Sequence, residues 1–227
     1  MESYYPVLLK VKGRRCLVAG GGSVAQRKVR GLLEAGADVV LAAPQVTPRL
    51  AELARQGDIR LLAREYESGD LSGAMLVFAL TDQRHINARI AEEARRAGIP
   101  VNVADEGEAG DFILPAVLRR GPLILTVSTS GASPAYAGQI KEQLDKTFGE
   151  ELGVYVDWLG RLRELAGRVI PDVGLRRELL REAVQYPPPE DMEDFNENRF
   201  MLYIKELEQK VIERGVQHGQ QDNYSGN

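Results

Sequence analysis

The chain has 227 residues, 44% of them apolar, which is enough for one full hydrophobic core and a second smaller one, so we expect one large domain with an appendage. Its net charge of -4 at pH 7 provides no general attraction for nucleic acid. No apolar run reaches the roughly 18 residues that a membrane span requires, and the first residues lack a signal-peptide pattern. We therefore expect a cytoplasmic protein that binds neither nucleic acid nor membrane.

The segment from residue 15 to residue 105 alternates short β-branched runs with stretches of helical periodicity. This alternation is typical of βαβ units that build a parallel sheet. We predict five strands, at residues 15–19, 38–42, 59–63, 75–80 and 100–104. The only cysteine, Cys16, falls in the first of these runs, which favours a buried side chain over a disulfide or a metal ligand.

Residues that begin and end helices lie between these strands. Thr47 is suited to cap the second helix, Pro48 fits its first position, and Gly57 follows its end. Asp82 is the candidate cap of a third helix that runs to about Ala97.

Beyond residue 105 the pattern changes to two apolar runs, at 111–118 and 122–128, joined by Arg119, Arg120 and Gly121. These runs predict a hairpin outside the parallel sheet. A helix is expected from Ser133, with Pro134 at its first position. After residue 147 the chain is charged and helical in pattern, with prolines at 171 and 187–189 as breaks and an amphipathic stretch at 200–212.

The run Gly20-Gly21-Gly22-Ser23-Val24-Ala25 fits the pattern G-x-G-x-x-G/A and lies between a predicted strand and a predicted helix. In such motifs the first glycine permits the tight turn, Gly22 lets a pyrophosphate approach the backbone, and Ala25 lets the helix pack on the strand. The phosphates lie on the N–H groups at the helix start. The motif predicts a Rossmann-type dinucleotide site, and the alternative is a tight turn without a ligand.

One element of the dinucleotide fingerprint is missing. An acidic residue usually follows the second strand, roughly 20 residues on, but Pro44 and Gln45 stand there, and Arg49 is several residues further along. The residues themselves therefore do not decide whether the cofactor is NAD or NADP. Thr81 and Asp82 follow the fourth strand, at the sheet edge where α/β folds bind ligands. For Asp82, a plain helix cap is an equally good interpretation.

Four segments taken in order identify a family. They are VAGGGSVAQRKVRGLLEAGADV, ALTD, VNVADEGEAGDFILPA and VSTSGASPAYAGQIKEQL. Together they resemble the precorrin-2 dehydrogenase family, which includes the dehydrogenase and ferrochelatase modules of siroheme synthases. The resemblance covers about residues 5–150, whereas the extension from Tyr186 onward departs from the family pattern.

The resemblance implies oxidation of precorrin-2 to sirohydrochlorin, with NAD as the hydride acceptor, in a homodimer joined through the segment after the Rossmann domain. Some family members also insert ferrous iron. By motif position, the family's catalytic aspartate corresponds to Asp105, and Thr129 replaces a serine that is phosphorylated in some siroheme synthases. The positions near the cofactor correspond to Ser23, Val24, Pro44 and Gln45.

Asp105 lies directly at the carboxyl end of the fifth predicted strand, where a catalytic base is expected. Aromatising a reduced tetrapyrrole requires loss of a hydride and a proton, so the protein must align a nicotinamide and supply a base. The alternative is a turn-forming aspartate. The residues alone support a catalytic base and a turn-forming aspartate equally well, and the resemblance favours the catalytic base.

A substrate with many carboxylates needs hydrogen-bond donors. The candidates are Arg119, Arg120, Ser128, Thr129, Ser130 and the Gly131 backbone. The alternative for the arginines is a solvated hairpin tip, and for the serines a helix start. No His or Cys cluster indicates a metal site, and His85 is expected on a helix surface.

The predicted fold is α/β, with a Rossmann-type parallel sheet, a small α+β dimerisation segment and a C-terminal helical domain. We place the dinucleotide-binding domain at 1–111, the dimerisation segment at 112–147, the helical domain at 148–214 and a disordered tail at 215–227. Two other functions are compatible with these motifs. They are an NAD-binding regulatory module without catalysis and a purely structural dimerisation protein.

Overall fold

A computed structural model describes residues 4–104, 110–186, 192 and 195–221. The chain divides into two compact units, 1–115 with 128–134 and 116–127 with 135–227. Each unit encloses its own cluster of buried apolar side chains.

The first unit is built on a five-stranded parallel sheet. Its strands are β1 (Arg15–Ala19), β2 (Asp38–Ala42), β3 (Ile59–Leu62), β4 (Leu76–Ala79) and β5 (Val101–Val103). They lie in the order β3-β2-β1-β4-β5, which is the order of a Rossmann sheet. The predicted strands are confirmed, each within one residue at either end.

Helices cover both faces of this sheet. They are α1 (Ser23–Glu34), α2 (Pro48–Gln56) and α3 (Arg84–Arg96), and a 3₁₀ helix spans Ser68–Leu71. Successive strand residues point to opposite faces, so Val18 packs in the cluster with α1 and α2, whereas Leu17 packs in the cluster with α3. A parallel sheet buried on both faces explains the nearly continuous apolar runs in the sequence.

The predicted ends of α2 are confirmed. The Thr47 hydroxyl accepts a hydrogen bond from the Leu50 N–H at 3.3 Å, and Gly57 ends the helix with a φ of +80°. The expectation that Asp82 caps α3 is wrong, because the cap position is Gln83, one residue later. Cys16 is fully buried as expected, and burial, reinforced by Asp38, raises the pKa of its thiol to about 11.

The second unit contains the predicted hairpin. Strand β6 (Ala116–Arg120) pairs antiparallel with β7 (Leu123–Val127), and Gly121 in the turn has a φ of +50°. Four helices follow: α4 (Pro134–Thr147), α5 (Glu151–Val169), α6 (Val173–Ala183) and α7 (Glu197–Gln221). Pro134 opens α4 as predicted, and the break at position 171 separates α5 from α6.

The core of this unit is aromatic. Trp158 of α5 is 1% exposed, and its ring lies 5.5 Å from that of Phe195, 5.6 Å from that of Phe200 and 5.2 Å from that of Tyr203. Such pairs stabilise a core beyond the area they bury. The amphipathic stretch predicted at 200–212 is helical and contributes Ile204 and Leu207 to this core.

Helix α7 continues to Gln221, so it includes residues 215–221 of the segment predicted to be disordered. No proline ends the helix over those residues. In the described part of the chain, no helix is both long enough and apolar enough to cross a bilayer.

Gly153 lets the first turn of α5 pack on the hairpin. A Cβ at Gly153 would lie 2.8 Å from the Arg120 carbonyl carbon and 2.9 Å from its oxygen. Real Cβ atoms essentially never approach backbone so closely. The hairpin turn and α5 are therefore in backbone contact.

Gly153→Ala should lower the free energy of unfolding by about 1–3 kcal/mol, the usual cost of overpacking. Gly160→Ala is the matched control in the same helix, because nothing lies within 4 Å of the added Cβ. It should raise the free energy of unfolding by about 0.4–1 kcal/mol. Urea denaturation measures both, and equal shifts for the two variants would contradict the close contact.

Candidate active site

Three loops meet at the carboxyl edge of the parallel sheet. The Gly20 N–H donates to the Ala42 carbonyl at 2.9 Å, and the Leu80 N–H donates to the Ala19 carbonyl at 2.8 Å. The Thr47 N–H donates to the Gly21 carbonyl at 3.0 Å. The loops that follow β1, β2 and β4 therefore surround the point where the strand order reverses, which is where open α/β sheets bind their ligands.

The glycine loop is packed closely on two sides. Gly20 has a φ of +119°, and a Cβ there would lie 2.3 Å from the Leu80 carbonyl oxygen. A Cβ on Gly21 would lie 1.9 Å from the Gln45 carbonyl oxygen. Both positions therefore require glycine for packing alone, including Gly21, which the sequence motif leaves variable.

Gly22 differs from its two neighbours, because a Cβ there would meet nothing within 4 Å. It is the N-cap of α1, with no side-chain cap and no acidic residue in the first turn. The first N–H groups of a helix lack intrahelical acceptors, and the positive end of the helix dipole favours an anion. Open space beside uncapped N–H groups fits the pyrophosphate of a dinucleotide.

Ser23 and Val24 are exposed at this helix start, and Val24 leaves 40% of its surface uncovered. Ala25 is 1% exposed and packs in the core. One turn further along α1, burial, with a contribution from Arg27, lowers the pKa of Lys28. The first turn of α1 thus presents an apolar side chain and a serine to solvent.

The loop after β2 carries Pro44 and Gln45, both exposed, and no acidic side chain. Thr47 fixes this loop against α1, because its hydroxyl donates to the Gln26 side-chain oxygen at 2.6 Å. The acidic residue that usually follows the second strand is therefore absent from this loop, as the sequence indicated. Arg49 is exposed in the first turn of α2.

The loop after β4 is held by Asn87, a residue that the sequence analysis missed. Its side-chain oxygen accepts from the Thr81 N–H at 3.0 Å and from the Thr81 hydroxyl at 2.7 Å. Its amide donates to the Thr81 carbonyl at 2.9 Å. Asp82 is exposed on the same loop. A signal existed, since Asn87 occupies the buried phase of α3 together with Ile90.

The two hairpin arginines have different surroundings. Arg120 is 12% exposed, donates to the Phe148 carbonyl at 2.8 Å and pairs with Asp145 at 2.7 Å and Glu150 at 3.2 Å. The bond from Arg120 lowers the pKa of Asp145. The solvated-tip interpretation is wrong for Arg120, whereas Arg119 is exposed, which is compatible with either a solvated tip or a substrate contact. Alternation along a strand explains the difference, because adjacent residues point to opposite faces.

The segment Ser128–Gly131 forms a tight turn ahead of α4. Ser130 has a φ of +52° and Gly131 a φ of +85°. The Ser128 hydroxyl accepts from the Ser130 N–H at 3.1 Å, and the Thr129 hydroxyl accepts from the Ser133 N–H at 2.9 Å. A hydroxyl that accepts a bond can still donate its own hydrogen.

Asp105, the predicted catalytic aspartate, lies outside the described residues. The chain on both sides of it is held at the end of β5. The Ala104 N–H donates to the Ala79 carbonyl at 3.0 Å, and the Asp111 carboxylate accepts from the Val101 N–H at 2.9 Å. Asn102 donates to the Phe112 carbonyl at 2.9 Å.

Among the residues that the structure describes, no group of three or more His, Cys, Asp or Glu side chains is arranged to hold a metal ion. His85 is exposed on α3, as the sequence analysis expected.

Two protein families match this chain in succession. Residues 7–116 match a family described as putative NAD(P)-binding, and residues 120–147 match the central segment of sirohaem biosynthesis proteins. The chain is 40% identical to siroheme synthase of Methylococcus capsulatus over 187 residues, which are 82% of this chain and 40% of that protein. It is 39% identical to siroheme synthase of Azotobacter vinelandii over 184 residues, 81% of this chain and 40% of that protein.

The chain thus spans about 40% of the length of these curated relatives. Among solved structures, it is similar to SirC, a precorrin-2 dehydrogenase, with a TM-score of 0.68 and 28% sequence identity. That similarity covers 91% of this chain and 100% of SirC.

Gly22→Asp should fold normally and lose dinucleotide binding. The added side chain meets no protein atom, and aspartate is a favoured N-cap, so the melting temperature should equal or exceed that of the wild type. The carboxylate would occupy the space for the pyrophosphate and repel its charge. Fluorescence titration with NADH measures the affinity.

Gly22→Asn is the matched control, because it is similar in size and neutral. It should weaken binding less than Gly22→Asp does. A folded Gly22→Asp protein with wild-type affinity would show that the dinucleotide binds elsewhere.

Proposed function

This chain belongs to the siroheme-biosynthesis family that contains the precorrin-2 dehydrogenases and the corresponding module of siroheme synthases, and we propose that it oxidises precorrin-2 to sirohydrochlorin with NAD. One observation carries the proposal: the similarity to SirC extends over the whole of that chain. The open space beside Gly22, at the uncapped start of α1, supports the binding of a dinucleotide there.

For the cofactor we propose NAD rather than NADP. The Ser23 and Val24 N–H groups would bind the pyrophosphate, and the exposed Pro44 and Gln45 would line the adenosine side. No arginine follows β2 directly to bind a 2'-phosphate. Arg49, in the first turn of α2, is the nearest cation along the chain after that strand. A preference for NADP in titration would therefore implicate Arg49.

For the substrate we propose recognition by donors of the hairpin and of the turn before α4. Arg119 is the exposed arginine of the pair, whereas the contacts of Arg120 commit its guanidinium to the α4–α5 connection. Ser128 and Thr129 retain hydroxyl hydrogens that can donate to carboxylates. The Ser130 hydroxyl and the Gly131 backbone N–H are the further proposed donors, whereas the Ser130 N–H already donates to Ser128. Each group is proposed separately as a contact to precorrin-2.

For the chemistry we propose Asp105 as the general base. When bound, NAD supplies the hydride acceptor. Asp105 would take the proton that leaves the macrocycle, and the same carboxylate would accept pyrrole protons if ferrous iron is inserted as a second substrate. A pKa near the working pH makes a carboxylate an effective proton acceptor. The hydrogen bonds of Ala104 and Asp111 hold the chain on either side of Asp105.

Incubation with precorrin-2 and NAD should yield NADH and sirohydrochlorin together, recorded by absorption spectra. Asp105→Asn preserves side-chain size but removes the basic carboxylate, so NAD binding should persist while oxidation falls at least about a hundredfold, in the range typical of lost general-base catalysis. Turnover within a few-fold of the wild type would remove Asp105 from the mechanism.

The same assay separates the alternatives. A regulatory module would bind NAD without forming NADH, and a structural dimerisation protein would do neither. Addition of ferrous iron then tests chelation. Loss of oxidation with chelation intact in Asp105→Asn would show that the two activities use different groups.

We also propose a homodimer formed through the second unit. A two-stranded hairpin is marginally stable alone. Its outer face carries Val117, 37% exposed, opposite Thr126, and α4 has one buried residue, Ala137, with Tyr136 57% exposed. A second copy of the chain would cover this apolar surface.

Light scattering at micromolar concentration should give twice the 25.1 kDa of one chain. Val117→Asp should shift the protein toward the monomer, because a charge would enter the proposed interface. Leu202→Asp is the matched control, since Leu202 is 61% exposed but lies on α7. A wild-type monomer, or equal effects of the two variants, would contradict the proposed interface.

A further inference from the structure

Asn87 is a buried residue whose side-chain amide bonds a single residue, Thr81, among the residues that the structure describes. It is 5% exposed, in the first turn of α3. Its side chain bonds the N–H of Thr81 at 3.0 Å, the hydroxyl at 2.7 Å and the carbonyl at 2.9 Å. The backbone of Thr81 is therefore satisfied in both directions by a single side chain.

Packing does not explain the choice of an amide at this position. Asn87 shares its helix face with Ile90, Ala91 and Ala94, which are all at most 2% exposed. An apolar residue would fill such a site without the cost of burying an amide. Nor does Asn87 act as the helix cap, because Gln83 holds that position without a side-chain bond.

The residue that Asn87 holds lies against the glycine loop. A Cβ on Gly20 would lie 2.3 Å from the Leu80 oxygen and 3.0 Å from the Thr81 nitrogen. No side chain separates the two loops, so a displacement of Thr81 would be transmitted directly to the backbone of Gly20. The position of Thr81 thus affects the dinucleotide crevice, by which we mean the open space beside Gly22 at the carboxyl edge of the sheet.

The sequence placed Thr81 at the ligand-binding edge of the sheet, and its hydrogen bonds indicate a supporting role there. Its N–H and carbonyl are both engaged by Asn87, and its hydroxyl bonds Asn87 and the Gln83 backbone. Thr81 therefore acts as the anchor of this loop, and the exposed Asp82 is the side chain that the anchored loop presents to solvent.

We infer that Asn87 is a positioning residue for the dinucleotide, which it never touches, because it fixes the loop after β4 against the glycine loop. This inference rests on the proposed function only in requiring that a dinucleotide binds. Without the amide, the Thr81 N–H and carbonyl would form hydrogen bonds with water instead. The loop after β4 would then leave its position against the glycine loop. Misplacement of about 1 Å outside the reacting groups can reduce rate by about a hundredfold.

The test compares Asn87→Ala and Asn87→Asp with the wild type by NADH fluorescence titration and by steady-state kinetics. Asn87→Ala should weaken NADH binding about tenfold or more and raise the KM for NAD, with the KM for precorrin-2 unchanged. Asn87→Asp keeps both acceptor bonds to Thr81 and loses one donor. Its second carboxylate oxygen would face the Thr81 carbonyl oxygen where the amide now donates, so this variant should also weaken NADH binding.

Ile90→Val is the matched control, because it removes one buried methyl group from the same helix and costs stability without touching Thr81. It should leave NADH affinity unchanged. If the Asn87 variants lose stability but bind NADH as Ile90→Val does, Asn87 is purely structural and the inference is overturned. If Asn87→Ala does not fold, Asn87→Asp decides, and wild-type affinity in that variant overturns the inference.

A different result would refute the proposed function itself. In that case the wild type would bind neither NAD nor NADP, and the Asn87 variants would have no affinity to lose. Normal binding by the wild type without precorrin-2 oxidation would refute the proposed reaction and leave the role of Asn87 intact.

Discussion

The contact between the glycine loop and the backbones of two neighbouring loops is the constraint on which the candidate site depends. Gly20 lies against the Leu80 carbonyl and Gly21 against the Gln45 carbonyl, at distances that exclude any Cβ. The turns after β1, β2 and β4 are therefore held in backbone contact, and α1 emerges from them with its first N–H groups uncapped. The crevice follows from this arrangement, because only Gly22 of the three glycines faces open space.

Much of the first unit could be predicted because its signals are local. A strand buried on both faces has a continuous run of apolar residues in its sequence. The ends of α2 are marked by the capping hydroxyl of Thr47 and by Gly57 in the left-handed conformation. The cap of α3 could not be predicted in the same way. Asp82 has the right chemistry, but Thr81 and Asn87 bond each other across the start of the helix and move the cap to Gln83. That competition depends on which face of α3 is buried.

The second unit shows a similar limit. Two adjacent arginines at a hairpin look equivalent in the sequence, yet Arg120 is bound by the α4–α5 connection and Arg119 is exposed. Strand register decides which of them points inward, and Gly153 brings α5 close enough to reach the turn. Likewise, Trp158 contacts Phe200 and Tyr203 of α7, which lie far along the chain. Long-range packing of this kind leaves no local signature.

The burial of Cys16 has a chemical consequence for a protein that is proposed to catalyse an oxidation. Thiolates, not thiols, react with oxidants and with other disulfides, and with a pKa of about 11 only about one Cys16 in ten thousand is ionised at pH 7. Cys16 is also the only sulfhydryl of the chain, and it is 0% exposed. The Cys16 thiol of the folded chain should therefore resist air oxidation. It should also resist forming a disulfide bond with a second copy of the chain. A disulfide between two copies of this chain would first require exposure of the buried Cys16.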